Sequence, residues 1–281
     1  MQVEQLTGPI AYHGEGAVWS PKWGGLRWVD MLAGDVLFLA EDGSVKRRHV
    51  DTVAAAIRPR RSGGAVIGGE RQFLLEEPDG IIRQLDQLWS DTGVRMNEGG
   101  CDPNGRFYCG SMAYDQSPNA AKLFRLDPDL TVHTVLTGVT VSNGLDWSAD
   151  GSLAYHNDTA TFSISVFDYS PDAGLTNRRT FVQIADQGRP DGLTVDSEGA
   201  VWTAISNRGV VHRYTPTGVL DEVVDVPAQK VTSCTFGGDQ LDELFITTSQ
   251  ENIDTDSDPL AGSLFHAHVG VPGLPVREFA G

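Results

Sequence analysis

Four side chains with oxygen donors stand in one register along this chain: Asn97 before Gly105, Asn143 before Gly151, Asp191 before Gly199 and, with one extra residue, Glu15 before Gly24. They recur roughly every 40–50 residues, the spacing of blades in a repeat architecture. Donors at equivalent points of successive repeats converge on a common axis. Two carboxylates and an amide carbonyl brought together without a cation repel one another, and a bound divalent ion removes that repulsion. Carboxylate, carbonyl and water oxygens suit Ca²⁺, Mg²⁺ or Mn²⁺, and Zn²⁺ also accepts carboxylates. Any one of these residues alone reads as a turn cap; several in one register favour a cation site. Arg95 precedes Asn97 by two residues, so on an extended segment both side chains face one way. An arginine there offers a fork of donors to hydroxyls or a carboxylate of a ligand. The competing expectation for Arg95 is a salt bridge to Glu98 or Asp102.

These donors need a scaffold that repeats. Turns at Ser20–Gly24, Arg60–Gly63, Asp102–Gly105, Ser148–Gly151, Asp196–Gly199 and Gly237–Gln240 are each followed by a β-rich run. Those runs are Leu26–Val29, Ala65–Ile67, Arg106–Tyr108, Leu153–Tyr155, Val201–Thr203 and Leu244–Thr247, and a third run often follows, as in Lys122–Leu126. Six units in 281 residues leave about 47 each, enough for four strands. No long segment carries helical periodicity, and 32 glycines with 14 prolines suit many short strands. The expected fold is all-β: a six-bladed β-propeller of four-stranded antiparallel blades, one domain over 1–281, with the terminal strands sharing a blade. A sandwich leaves the repeated register unexplained. In this reading each donor sits just before an innermost strand, at the channel mouth. Ala55 and Thr232 hold the register position in the other two blades, so the polar cluster is one-sided.

Composition narrows the partners. A formal net charge of −17 disfavours nucleic acid and anionic membrane. No apolar run approaches the ~18 residues of a membrane span. The N-terminal residues lack the pattern of a signal peptide, and Cys101, Cys109 and Cys234 form no CxxC pair. Reduced thiols in a cytoplasmic protein are expected, with Cys101 and Cys109 facing each other across a hairpin as the alternative. The chain has no GxSxG, HExxH or P-loop motif. Asp254–Asp258 begins like an EF-hand loop, but Pro259 stands where glycine is required. His266 and His268 read as a solvent-facing pair, and His156 as a strand-end cap.

The stretches GEGAVWSP, RMNEGGCDPNGRFYCGSM, VSNGLDWSADG, FDYSPDAGLTNRR, RPDGLTVDSEGAVWTA and TSCTFGGDQLDELFITT resemble the SMP-30/gluconolactonase/LRE family, over about residues 10 to 268. The resemblance implies a six-bladed propeller and a divalent-metal-dependent lactonase acting on a sugar lactone such as gluconolactone. It places metal ligands on Glu15, Asn143 and Asp191, the catalytic base on Asp191, and substrate contacts on Arg95 and Asn97. Two departures bear on substrate. Tyr114 follows GSMA where an acidic residue would help hold the sugar, and RMNE carries Glu98 in place of an aspartate. The alternatives are a non-catalytic, calcium-binding, regucalcin-like propeller and a paraoxonase-like esterase. The expected partner is a small-molecule sugar lactone, with the chain a monomer or weak homodimer.

Overall fold

The computed structural model describes residues 2–281 and shows a six-bladed β-propeller of four-stranded antiparallel sheets. The innermost strands are Gly14–Ser20, Ala56–Pro59, Val94–Cys101, Ser142–Trp147, Pro190–Val195 and Val231–Gly237. Each touches the next, and the sixth touches the first, so they form a closed ring around a channel. We number the blades 1 to 6 in that order. Blade 6 takes its outermost strand from the other end of the chain: Glu4–Gln5 pairs with Leu264–His268, with Glu4 opposite His266.

The turn chemistry read from the sequence operates as such. In blade 3, Asp102 Oδ1 accepts the backbone N–H groups of Asn104 and Arg106; in blade 5, Asp196 Oδ1 accepts those of Glu198 and Ala200. One short acidic side chain thus closes each turn and fixes the register of the strand that follows. Between blades the sheets pack face to face through large apolar side chains. Trp147, fully buried in blade 4, makes edge contacts with Tyr108 of blade 3 and with Tyr169 at centroid distances of 5.2 and 5.9 Å.

The last ten residues cross the face opposite the donor-bearing mouth as a strap. Ser197 N–H donates to Pro272 O, Arg277 bonds the carbonyls of Trp147 and Ser148, and Phe279 exchanges backbone bonds with Pro59 and Arg61. Phe279 itself is fully buried in the apolar cluster of blades 1 to 3.

Three expectations need correction. The donors do not precede the inner strands but lie within them, at β-bulges that the residue pattern alone did not reveal. Cys101 and Cys109 are not cross-strand partners, since Cys109 faces Gly99 and Cys101 faces Phe107; both are free and buried. His156 is no strand-end cap. It lies inside Leu153–Asp158, fully buried, with Nε2 2.8 Å from Ser142 Oγ. Burial lowers its pKa to about 3 and keeps it neutral.

The Trp147 wedge is a direct test of inter-blade packing. Trp147→Ala is expected to cost ~3–5 kcal/mol in denaturant unfolding, the range for a buried aromatic truncation. A cost under about 1 kcal/mol would mean that the blades collapse into the space.

Candidate metal centre and ligand cavity

The ladder between first and second strands slips at one point in five of the six blades. The slips fall between Glu15 and Val18, Met96 and Gly99, Ser142 and Leu145, Pro190 and Leu193, and Val231 and Ser233. Blade 2 pairs without a slip and carries Ala55 and Ala56 there. A bulge releases residues from the ladder and re-aims their side chains. Glu15, Asn97, Asn143, Asp191 and Thr232 all sit at these slips. The glycines of the EG and NG pairs make the geometry possible. Gly16 has φ +54°, a region L-residues rarely adopt, and a Cβ on Gly144 would come within 2.4 Å of the Leu193 nitrogen. Small residues there allow neighbouring bulges to nest around the axis.

Above them opens a cavity of about 520 Å³, lined by Glu15, Arg95, Asn97, Tyr114, Asn143 and Asp191 among others. All six residues expected at the site therefore reach one space. Asn97 Nδ2 donates to Ser142 O (2.8 Å) and Asn143 Oδ1 (3.1 Å), while its Oδ1 accepts Arg95 Nη1 at 2.7 Å. Arg95 makes no ion pair with Glu98 or Asp102; Asp102 binds Arg106 instead. Asn143 Nδ2 donates to Thr159 Oγ1, which donates in turn to Pro190 O, so blade 4 is tied to blade 5. Asn157 Nδ2 donates to the Asp191 carbonyl at 2.6 Å and holds that bulge from behind. Tyr114 lies at the rim, half exposed, with its hydroxyl on Glu70 and its ring 5.6 Å from the Arg95 guanidinium.

Electrostatically the base of the cavity is under tension. Oxygens of Glu15, Glu98 and Asp191 lie within 4.8 Å of one another, and all three residues are buried. Burial pushes all three carboxyls up, and mutual repulsion adds to it for Glu15 and Glu98; Glu98 rises to about 8 and Asp191 to about 7. Asp191 Oδ1 and Glu98 Oε2 are buried without any hydrogen-bond partner. Orphaned carboxylate oxygens at one point, beside the amide oxygen of Asn143, are a donor set that a hard divalent ion satisfies. The residues present therefore fit such an ion.

Several lining residues had no register signal. His13 stands one strand period before Glu15, with Nε2 3.9 Å from Glu15 Oε1 and Nδ1 2.7 Å from Ser249 Oγ. Burial lowers its pKa to about 3, so it is neutral. Lys230 and Glu251 pair across the rim at 2.5 Å, and Arg189 reaches over to Gln116 at 3.0 Å. Only the alternation of His13 with Glu15 was visible in the sequence. The others come from inter-strand loops of different blades.

A closed six-blade ring, with carboxylates and amides gathered at one mouth beneath an open cavity, defines a six-bladed propeller with a candidate cation site at its centre. The chain belongs to the SMP-30/gluconolactonase/LRE-like family, matched over residues 13–250. Regucalcin from Danio rerio is 34% identical over 279 residues, covering 95% of each chain. Two solved structures share the fold at 22% identity. One is a calcium-binding protein, regucalcin, from Agrobacterium tumefaciens (TM-score 0.92, covering 98% of this chain and 96% of that one). The other is a gluconolactonase from Xanthomonas campestris (TM-score 0.77, covering 97% and 89%). Among the described residues, no helix is long and apolar enough to cross a membrane.

The raised carboxyls carry a signature in the metal-free protein. Unfolded, these groups titrate near pH ~4; folded, Glu98 and Asp191 keep their protons to about pH 7–8. The native state then binds more protons than the unfolded one, so stability present at low pH is lost as pH rises through this range. His13 and His156 act oppositely, but above about pH 7 they are neutral in both states. Metal-free protein is therefore expected to show a Tm that falls between about pH 7 and 8.5, and a saturating divalent ion should flatten that slope. A Tm that rises over this interval without metal would contradict the assignment.

Proposed function

We propose that this chain is a divalent-metal-dependent lactonase that opens a sugar lactone of the aldonolactone class. The observation that carries the reading is the unpartnered Asp191 Oδ1 at the base of an open cavity, beside Glu15 and Asn143 and beneath Arg95 and Asn97. Family membership and the gluconolactonase fold neighbour support it. The cavity volume falls within the ~300–1,000 Å³ of small-molecule sites.

Glu15, Asn143 and Asp191 would hold the ion, which when bound supplies Lewis-acid polarisation of the ester carbonyl. Ca²⁺, Mg²⁺, Mn²⁺ and Zn²⁺ all accept such donors. The chain's own groups do the rest. Asp191 accepts a proton from the attacking water as the oxygen adds to the carbonyl carbon, general-base assistance worth about 10²–10⁴-fold. The ring C–O bond then breaks and the departing ring oxygen takes up a proton, giving the hydroxy acid. Arg95, fixed through Asn97, turns donors toward ring hydroxyls and holds the carbonyl over the cavity base. Its Nε is buried without a partner. Tyr114 supplies a partly apolar wall where an acidic group would have bound a sugar hydroxyl, which favours a less hydroxylated ring.

A second reading, calcium binding without turnover, draws on the name of the Agrobacterium neighbour. A panel of aldonolactones assayed with metal, with EDTA and after metal restoration separates the two. The lactonase reading expects EDTA-sensitive, metal-restored hydrolysis of at least one lactone, and faster turnover of that lactone than of phenyl acetate. Asp191→Ala should abolish turnover, whereas Arg95→Met should mainly raise KM. Metal binding with no hydrolysis of any lactone would favour the binder. Near-wild-type turnover in Asp191→Ala would remove Asp191 from the mechanism.

A further inference from the structure

Asn97 and Glu98 occupy the same bulge of Val94–Cys101, yet they serve opposite sides of it. Asn97 faces the ligand cavity. Glu98 does not line that cavity; it borders a small space on the other side of the channel, with Arg58, Asp146, Leu145 and Cys234. Its carboxylate still comes within the 4.8 Å cluster formed with Glu15 and Asp191. Glu98 is only 3% exposed, and its Oε2 has no hydrogen-bond partner. Two cations share its channel space: Arg58, whose charge acts on Glu98 from a distance, directs Nη1 to the Ile57 carbonyl, and Arg277 is engaged with Asp146 and the Trp147 and Ser148 carbonyls. Among the described residues Glu98 makes no ion pair.

A buried carboxylate oxygen with neither a hydrogen bond nor an ion pair is costly. Two more carboxylates beside it deepen the cost. We propose that Glu98 is a further ligand of the ion, reaching it from the channel side and leaving the cavity side to the substrate. This rests on the divalent centre proposed above. Oxygens spread over 4.8 Å can share one ion with bonds of about 2.3–2.6 Å, as calcium makes with six to eight oxygens. With Glu98 the centre holds three carboxylates and at least one amide. That composition favours hard, highly coordinated ions over a four-coordinate zinc. It also assigns the substrate the ion's opposite side, where water is otherwise bound.

The test uses Tb³⁺ as the probe ion with full-length wild type, Glu98→Ala and Glu98→Gln. Luminescence lifetimes in H₂O and D₂O count the waters on the ion, and titration gives affinity. Binding by wild type, one additional coordinated water in Glu98→Ala, and at least tenfold weaker binding in both variants are expected. The metal-free Tm should rise in Glu98→Gln, while its ion-induced Tm shift should shrink. If Glu98→Ala fails to fold, the Gln variant still reports affinity and Tm. Unchanged affinity and water count would overturn the role of Glu98 and leave the centre itself standing. No Tb³⁺ binding by wild type would overturn both.

Discussion

Like charges forced together away from water set the terms of this structure. Glu15 comes from blade 1, Glu98 from blade 3 and Asp191 from blade 5, and their oxygens meet on the axis within 4.8 Å. Nothing in the local sequence of any blade asks for that proximity; the ring imposes it. Each blade is stabilised by packing against two neighbours, and the sum of that burial carries the electrostatic cost at the centre. A cation bound there would both relieve the repulsion and satisfy the orphaned oxygens.

The bulges are how the ring delivers these side chains. A regular strand would send alternate residues up and down the blade faces. The slips in five of the six inner strands instead free Asn143, Asp191 and their counterparts to point along the channel. Behind them a layer of neutral hydrogen bonds runs through Thr159, Asn157 and Ser142, and it holds the donors without adding charge. His156 and His13 belong to this neutral layer, kept uncharged by burial. A protonated imidazole beside Glu15 would compete with an ion for the carboxylate. The proposed cation site gains from histidines that stay neutral.

Much of this was legible in the residues. The donor-to-glycine register located Glu15, Asn97, Asn143 and Asp191, and the turn motifs located the strands, because both repeat with the blade. The slips were not legible, since a bulge leaves no residue type of its own beyond a glycine that also suits a turn. For that reason the donors read as preceding the strands that in fact contain them. Glu98 read as one of two alternative salt-bridge partners for Arg95; the bulge between Met96 and Gly99 instead brings it to the axis. Lys230, Glu251, Arg189 and Gln116 come from loops of different blades, so their proximity depends on three-dimensional closure alone.

That closure has a consequence for biosynthesis. Glu4–Gln5 is synthesised about 260 residues before its pairing partner Leu264–His268. The earlier segment stays solvated by water until that partner is made, and blade 6 is incomplete until the two pair. Contacts of such long sequence separation slow the search for the native state. The seam where these two segments meet is therefore the last join of the ring that a newly made chain can complete.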